Sequence, residues 1–209
     1  MPMLEAAPNT PQWVAARRGC LTASRMKDVL DVLKNGKPGA ARGRYLIELV
    51  AERMSGVAVD HFVTPAMQWG IDNEAGAVEA YEAETGIICD ASGFYLHDTI
   101  EMFGATPDRQ VGRDGLIEVK CPTTAKYITW LRDGAVPEEH KPQMLAQLAV
   151  TKRKWVDFVA FDPRIQTGPQ LFVRRFTPTA EEIDKTELEA LKFLAEVDAL
   201  FDLVTQAAA

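Results

Sequence analysis

The sequence predicts a single α/β domain in which a small central mixed sheet is flanked by helices. Apolar residues recur every three or four positions on both sides of the middle of the chain, which indicates amphipathic helices. Short alternating stretches, separated by glycine and aspartate turns, lie between residues 93 and 121 and indicate strands. No repeat, low-complexity tract or linker interrupts the sequence, so residues 1–209 are expected to form one domain.

Three helices are predicted ahead of these strands, after a small, polar segment (residues 1–10) that is expected to be a loose arm. The first helix follows Thr22 and Ser24, which are typical capping residues. Its expected apolar face consists of Met26, Val29, Leu30 and Leu33. The expected bounds of the three helices are 25–34, about Arg42 to Met54, and Pro65 or Trp69 to Thr85 with a stop at Gly86.

The strands of GFYLH, EMFGATPD and GLIEVKC are expected to form one sheet of three strands. Two helices are then predicted, over residues 124–132 and 138–151. Two strands follow, over residues 155–162 and 169–176. A last helix is expected after Thr179. Its expected apolar side consists of Ile183, Leu188, Leu191, Leu194, Val197 and Leu200.

The net charge of −7 conceals four blocks of alternating sign. Residues 1–60 carry +3, residues 61–119 carry −9, residues 120–175 carry +5 and residues 176–209 carry −6. One interpretation is ordinary patterning of a solvated surface. The other is a basic inner face that binds a polyanion and an acidic outer face. Charge alone does not decide between them.

The cysteine content and the hydropathy exclude several classes of protein. Cys20, Cys89 and Cys121 are far apart and form no CxxC pair, which argues against a disulfide framework, a zinc site and an iron–sulfur cluster. No apolar run approaches the roughly 18 residues of a membrane span, and the N-terminus lacks the layout of a signal peptide. A cytoplasmic protein without a membrane segment is therefore expected.

The most informative motif is Thr106-Pro107-Asp108, followed ten residues later by Glu118-Val119-Lys120. Residues two apart in a strand share a face, and a hairpin can bring Asp108 beside Glu118 and Lys120. Two carboxylates suit Mg²⁺ or Mn²⁺, which take further ligands from water and phosphate. The ammonium of Lys120 could position a water and stabilise developing charge. This is the PD-(D/E)xK pattern of phosphodiester hydrolysis, although the same trio also occurs as a solvated surface ion pair.

With these residues in place, the chain resembles the phage lambda exonuclease family, also called YqaJ-type viral recombinases, over nearly its whole length. The resemblance implies a restriction-endonuclease-like core. It rests on four blocks in order: Trp13 to Ser24 (W-x3-R-x4-TAS), Trp69 to Glu74 (WG-x3-E), Thr106 to Pro122 (TPD with EVKCP), and Gln143 to Arg164 (Q-x6-VT with W-x5-FDPR).

The resemblance also implies roles for the acidic and amide residues. Asp108 and Glu118 correspond to the metal-binding carboxylates, with the carbonyl of Val119 as a further ligand, and Lys120 corresponds to the catalytic lysine. Glu74 corresponds to an outlying acid that helps to hold a second metal or the water; its alternative is a helix-surface acid. Gln143 corresponds to an active-site glutamine, and Gln147 lies one turn further on the same face.

Arg17, Ser24 and Thr106 correspond to a pocket for the 5′-phosphate of a DNA end, where a guanidinium and hydroxyl groups form a natural phosphate cradle. Helix capping by Ser24 and a solvated charge for Arg17 are the alternatives. Met67 lies where the family has an apolar wedge, although methionine there is more often part of the core. Trp13 is expected either to stack on DNA or to pack into the core.

The function implied by the resemblance is metal-dependent 5′→3′ degradation of double-stranded DNA. The 5′-phosphorylated strand would be released as mononucleotides, and the remaining 3′ strand would serve recombination. A ring-shaped homotrimer and a single-strand annealing protein as partner are implied as well. An endonuclease on the same core and a non-catalytic DNA-binding assembly subunit are the alternatives. A nuclease with an iron–sulfur cluster is rejected, because three dispersed cysteines cannot supply four ligands.

Overall fold

A computed structural model describes residues 3–4, 10–59 and 62–207, and in these residues seven helices surround two small sheets. The helices are α1 (Pro11–Arg17), α2 (Met26–Val29), α3 (Ala40–Ser55), α4 (Pro65–Thr85), α5 (Thr124–Asp133), α6 (Lys141–Thr151) and α7 (Ala180–Gln206). The strands are β1 (Met3–Leu4), β2 (Leu21–Thr22), β3 (Asp90–Ala91), β4 (Phe94–Leu96), β5 (Phe103–Ala105), β6 (Arg109–Val111), β7 (Gly115–Lys120), β8 (Trp155–Phe161) and β9 (Leu171–Phe176).

The larger sheet has the strand order β3-β6-β7-β8-β9 and is mixed, as predicted. Strands β7 and β8 run parallel, whereas the other neighbouring pairs are antiparallel. Because β7 is the central strand, both of its faces are covered, and residues 115–119 are all buried. Leu116 packs against one apolar cluster of the core and Ile117 against another. A side chain on either face of β7 is therefore held by its surroundings.

The smaller sheet, with the order β1-β4-β5-β2, corrects the prediction of one three-stranded sheet. Strands β4 and β5 pair with each other, but β5 takes β2 as its other neighbour rather than β7. The chain leaves this sheet after Ala105 and enters the larger sheet at Arg109. The Thr106-Pro107-Asp108 motif is therefore the crossing between the two sheets. Of the predicted loose arm, Met3–Leu4 pairs with β4, and residues 1–2 and 5–9 lie outside the described residues.

The ends of α3, α4 and α5 agree with the predictions to within two residues, whereas the end of α2 does not. Helix α4 begins after Thr64 and ends at Gly86, which has the left-handed φ of 69°. Helix α2, however, already ends at Val29, so Leu30 and Leu33 are exposed by 41% and 52%. Neither Thr22 nor Ser24 donates or accepts a capping hydrogen bond there. The expected burial of Leu30 and Leu33 was wrong because one turn of helix cannot place both against the core.

Helix α7 packs against α3 and α6, and its N-terminus forms the capping box of Thr179 and Glu182. Leu188 and Leu191 are half exposed, contrary to the prediction. The buried stripe consists of Thr186, Ala190, Phe193, Leu194 and Val197. A small residue at 190 permits the close approach to the core, which apolar periodicity alone does not reveal. No helix among the described residues has the length and apolar content to cross a membrane.

Candidate active site

The β6–β7 hairpin brings Asp108 beside β7, as the spacing predicted. Arg109 pairs with Ile117 in the register of this hairpin, so Asp108 lies next to the C-terminal half of β7. Oδ2 of Asp108 accepts a hydrogen bond of 2.6 Å from the backbone N–H of Val119. The Asp108 carboxylate is therefore fixed to the same strand that carries Glu118 and Lys120.

Glu118 is completely buried, and each of its carboxylate oxygens has a side-chain partner. Nζ of Lys120 donates to Oε1 of Glu118. Nε2 of Gln147, on α6, donates to Oε2 at 2.6 Å. The side chain of Lys120 itself is 29% exposed. This burial excludes a fully solvated surface ion pair as the description of the trio.

Burial and neighbouring charges shift the pKa values of Asp108 and Lys120. Burial raises the pKa of Asp108 well above its usual value, and the neighbouring charge of Glu118 raises that pKa further. Burial alone would lower the pKa of Lys120, but the charges of Glu118 and Asp108 outweigh it and raise that pKa. Ionising both crowded carboxylates therefore costs free energy, and a bound cation would offset that cost.

The chemistry of these donors fits a magnesium-type ion. No group of three or more Asp, Glu, His or Cys side chains within the described ranges is arranged to hold a metal ion. Two carboxylates and one backbone carbonyl are nevertheless a sufficient donor set for Mg²⁺, which commonly keeps several waters and binds substrate phosphate. Asp108, Glu118 and the carbonyl of Val119 remain the predicted ligands.

Glu74 faces the same place from α4 and has a partner that the sequence did not suggest. Nη1 of Arg109 donates to Oε1 of Glu74 at 2.9 Å and also to the backbone carbonyl of Asp108. The Glu74 side chain is 37% exposed. Arg109 therefore connects the outlying acid to the hairpin. A basic residue directly after Asp108 was the only signal in the sequence.

The two glutamines of α6 are placed differently. Gln147 is completely buried against Glu118, whereas Gln143 is half-buried and forms no hydrogen bond among the described residues. The contact with the carboxylate thus belongs to Gln147, the residue one turn beyond the predicted one. The role predicted for Gln143, toward the nucleophile or a phosphate, is not tested by this contact.

The acidic site opens into a cavity of about 830 Å³ between α4, the end of β7 and α5. Trp69 of α4 forms part of its wall, and the guanidinium of Arg164 lies 4.3 Å from the centre of the Trp69 ring. Arg164 is held in turn by Asp162, which is completely buried, through a contact of 2.7 Å. The wall combines aromatic surface with cations, which suits a nucleotide strand.

A second cavity of about 770 Å³ lies next to the first, and Met67 lines both. Met67 is 50% exposed. This exposure fits the apolar wedge and not the alternative of a core residue. Phe62, which the sequence analysis did not select, is 85% exposed in the second cavity. The predicted phosphate residues Arg17 and Ser24 line this second cavity as well.

Trp13 connects the residues of the predicted phosphate pocket. Its Nε1–H donates to Oγ1 of Thr106 at 3.2 Å, and the Arg17 guanidinium lies 3.7 Å from the centre of its ring. Ser24 is exposed, with its Oγ 3.4 Å from Oγ1 of Thr22. Trp13 thus neither enters the core nor is free to stack on DNA with the face that Arg17 covers. It is instead a platform under Arg17 and a donor to Thr106.

Like Arg18, which donates to the backbone carbonyl of Gly56, Arg17 lines this cavity without an anionic partner among the described residues. Within the described residues it forms no hydrogen bond or ion pair, and burial lowers its pKa. Its neighbour Arg25, in contrast, pairs with Asp28 and with Glu48. Since arginine remains charged in proteins, Arg17 offers an unpaired positive charge to an anion.

The mixed sheet, the acidic hairpin and the lysine of β7 together define a restriction-endonuclease-like core. The family model of the YqaJ-like viral recombinase domain matches residues 12–154. The chain belongs to this family.

Solved structures agree with this assignment. The chain is 39% identical to LHK-Exo, an alkaline exonuclease from Laribacter hongkongensis, with 95% of this chain and 98% of that chain covered and a TM-score of 0.88. A structure of LHK-Exo in complex with dAMP matches equally well. A phage-related exonuclease from Haemophilus somnus 129PT shares the fold at 15% identity, with 91% and 96% of the two chains covered and a TM-score of 0.64. Comparison with curated protein sequences gives no significant match.

Proposed function

We propose that the protein is a metal-dependent 5′→3′ exonuclease that degrades the 5′-phosphorylated strand of double-stranded DNA to mononucleotides. The observation that carries this proposal is the adjacency of two cavities, one lined by Asp108 and Lys120 and one lined by Arg17, which has no anionic partner among the described residues. An anion site next to a hydrolytic site suits a substrate that is held by its terminal phosphate. The similarity to an alkaline exonuclease supports the same activity.

Asp108, Glu118 and the carbonyl of Val119 are the groups that would hold Mg²⁺, with Mn²⁺ as a substitute. Such an ion neutralises phosphate charge and acidifies a bound water. Nζ of Lys120 lies beside the Glu118 carboxylate at the edge of this site. The Lys120 ammonium positions the attacking water and stabilises the negative charge that develops on the phosphate. Glu74 and Gln143 are proposed to orient the water and the substrate phosphate.

Each cycle is a hydrolysis at the first internal phosphate. The oxygen of water bonds to phosphorus, the bond to the 3′ oxygen breaks, the 3′ oxygen takes up a proton and the water loses one. The released nucleotide keeps its own 5′-phosphate, and the shortened strand ends in a new 5′-phosphate. Arg17, Ser24 and Thr106 can therefore bind the end of the strand again after each step.

The assembly and the partner belong to the same proposal. A homotrimeric ring around DNA would be lined by basic residues, and residues 17–53 contain nine basic and four acidic side chains. Two of these basic residues, Arg42 and Arg53, pair with Glu196 and Asp198 of the acidic C-terminal helix, so the free positive charge would come from among the others. The 3′ strand left by digestion is the substrate expected for a single-strand annealing protein.

The proposal is tested by digesting a linear duplex with label at both ends. The duplex carries either 5′-phosphate or 5′-hydroxyl groups and is incubated with and without Mg²⁺. We expect metal-dependent release of mononucleotides from the phosphorylated strand. Lys120→Met should lower the rate by at least about 100-fold while DNA binding is retained.

Three outcomes would contradict the proposal. Internal fragments would indicate an endonuclease on the same core. Cleavage that is indifferent to the terminal phosphate would remove the role of Arg17. Binding of DNA by the wild-type protein without any cleavage would indicate a non-catalytic assembly subunit.

A further inference from the structure

Gln147 is a polar side chain of α6 that the structure buries completely beside apolar core residues. Its neighbours Met144, Leu148 and Val150 on this helix are core residues with at most 2% exposure. Burying an amide among such residues costs free energy unless hydrogen bonds replace those lost to water. The amide of Gln147 therefore needs a specific partner.

The partner is the predicted metal ligand Glu118. Nε2 of Gln147 donates a hydrogen bond of 2.6 Å to Oε2 of Glu118, and Nζ of Lys120 donates one to Oε1. The amide nitrogen must face the carboxylate, because an ionised carboxylate only accepts hydrogen bonds. Two donors on opposite oxygens determine the plane of the carboxylate, yet each oxygen retains a second lone pair.

The other end of the amide has no partner. Oε1 of Gln147 is buried and forms no hydrogen bond in the described part of the chain. An unsatisfied buried acceptor is uncommon in folded proteins and is explained most often by function or by a bound water. Gln143, one turn earlier on the same helix, is half-buried and needs no such explanation.

We propose that Gln147 is a positioning residue, which holds the Glu118 carboxylate in the orientation in which it binds the divalent metal ion. The proposal rests on the proposed function, since it assumes that Glu118 is a ligand. Gln147 does not touch the reacting atoms in this view; it acts through Glu118. Removing a residue that hydrogen-bonds to a metal ligand, and so orients it, typically weakens metal binding by about 10- to 100-fold.

The test is a calorimetric titration with Mn²⁺ alone, in the absence of DNA. Gln147→Met has a similar length but no amide, so Lys120 is the one side-chain donor that Glu118 keeps among the described residues. We expect the Kd for Mn²⁺ to rise about 10- to 100-fold. Gln143→Met, on the same helix, is the matched control and should leave the Kd within about 2-fold, whatever it does to cleavage.

The outcomes separate this inference from the proposed function. If the wild-type protein binds no Mn²⁺, the proposed metal site is wrong. If the wild-type protein binds Mn²⁺ and Gln147→Met binds it equally well, the metal site stands and the role of Gln147 is refuted. Thermal melting of the metal-free proteins shows whether each variant is folded.

A measurement on the wild-type protein covers the case in which Gln147→Met does not fold. The side-chain amide protons of Gln147 are observed by NMR after isotope labelling. We expect them to exchange slowly with solvent and to shift when Mg²⁺ is added. Fast exchange, or signals that do not respond to saturating Mg²⁺, would overturn the proposal.

Discussion

At the scale of single residues, the functional groups are held by one another. Lys120 and Gln147 hold Glu118, the N–H of Val119 holds Asp108, and Trp13 holds both Arg17 and Thr106. Removing one member therefore disturbs its partners as well as its own contacts, and the effect depends on which partner is measured.

Trp13→Phe should reduce the preference for phosphorylated 5′ ends. Phenylalanine keeps a ring under Arg17 but loses the hydrogen bond of 3.2 Å to Thr106. A neutral hydrogen bond contributes about 0.5–1.5 kcal/mol, so the ratio of kcat/KM between 5′-phosphate and 5′-hydroxyl duplexes should fall roughly 2- to 10-fold. Trp13→Ala, which also removes the platform, should lower the ratio further.

Trp155→Phe is the control for this experiment. Its ring is also stacked by an arginine, Arg175, at 3.6 Å, but it lies on β8 and lines neither cavity. We expect the ratio of kcat/KM between 5′-phosphate and 5′-hydroxyl duplexes to be the same for Trp155→Phe as for the wild-type protein. The contrary result is that Trp13→Phe loses activity equally on duplexes with 5′-phosphate and with 5′-hydroxyl ends. That result would show that Trp13 supports the fold rather than the phosphate pocket.

His140 should make stability depend on pH. Burial lowers its pKa to about 4, and the nearby charge of Lys120 contributes in the same direction. Since the unfolded chain takes up this proton near pH 6.5, the neutral imidazole contributes fully above that pH and its contribution is lost as the pH falls toward 4. The expected loss is at most about 3.5 kcal/mol.

Urea unfolding of the wild-type protein and His140→Phe between pH 4 and pH 7 checks this prediction. His140 stacks on Phe158 with ring centres 5.3 Å apart, and its Nε2 lies 3.4 Å from Oε1 of Glu139 without forming a hydrogen bond in the described part of the structure. Phenylalanine keeps the ring packing and removes the titrating group. The free energy of unfolding of the variant should depend less on pH. Parallel curves for the two proteins would contradict the prediction.

At the scale of elements, helix α4 brings Met67, Trp69 and Glu74 to the site, and its other half is fixed to the sheet. The hydroxyl of Tyr81 donates a hydrogen bond of 2.7 Å to Oδ2 of Asp157, a buried residue of β8. Arg175 of β9 donates to both oxygens of the same carboxylate. The position of α4 thus depends on an ion pair between two strands.

Tyr81→Phe should lower the free energy of unfolding by about 1.5–3 kcal/mol, because the lost hydrogen bond is to a charged and buried acceptor. Tyr127→Phe is a matched control: Tyr127 is equally buried, but its hydroxyl donates 2.8 Å to the neutral carbonyl of Pro169. We expect a loss of about 1 kcal/mol there. A smaller loss for Tyr81→Phe than for Tyr127→Phe in denaturant unfolding would show that Asp157 does not anchor α4.

At the scale of the whole molecule, the proposed ring predicts the mass in solution. Sedimentation equilibrium should give three times the chain mass of 23.1 kDa. DNA binding should weaken with increasing salt, because basic residues displace counterions from phosphate. A mass near that of one chain would refute the trimer, and the digestion experiment would then show whether exonuclease activity needs the ring.

Much of this protein was determined by the sequence itself. Periodicity, turn residues and spacing predicted the bounds of α3, α4 and α5 and the strands β7 to β9. They also predicted that Asp108 lies beside the strand that carries Glu118. These are local properties: a capping residue, a glycine with positive φ or a two-residue period acts within a few positions along the chain. The order of the motifs was likewise sufficient to indicate the family, which the family model confirmed.

Only the tertiary structure decided which strands are neighbours and which polar side chains meet. The pairing of β5 with β2, the contact of Gln147 with Glu118, the pairing of Arg109 with Glu74 and the position of Trp13 under Arg17 all join residues that are distant in sequence. Gln143 and Gln147 lie on one helix at helical spacing, so the sequence could not tell them apart. The packing of α6 against the sheet did so, because it buries one of them and leaves the other half exposed.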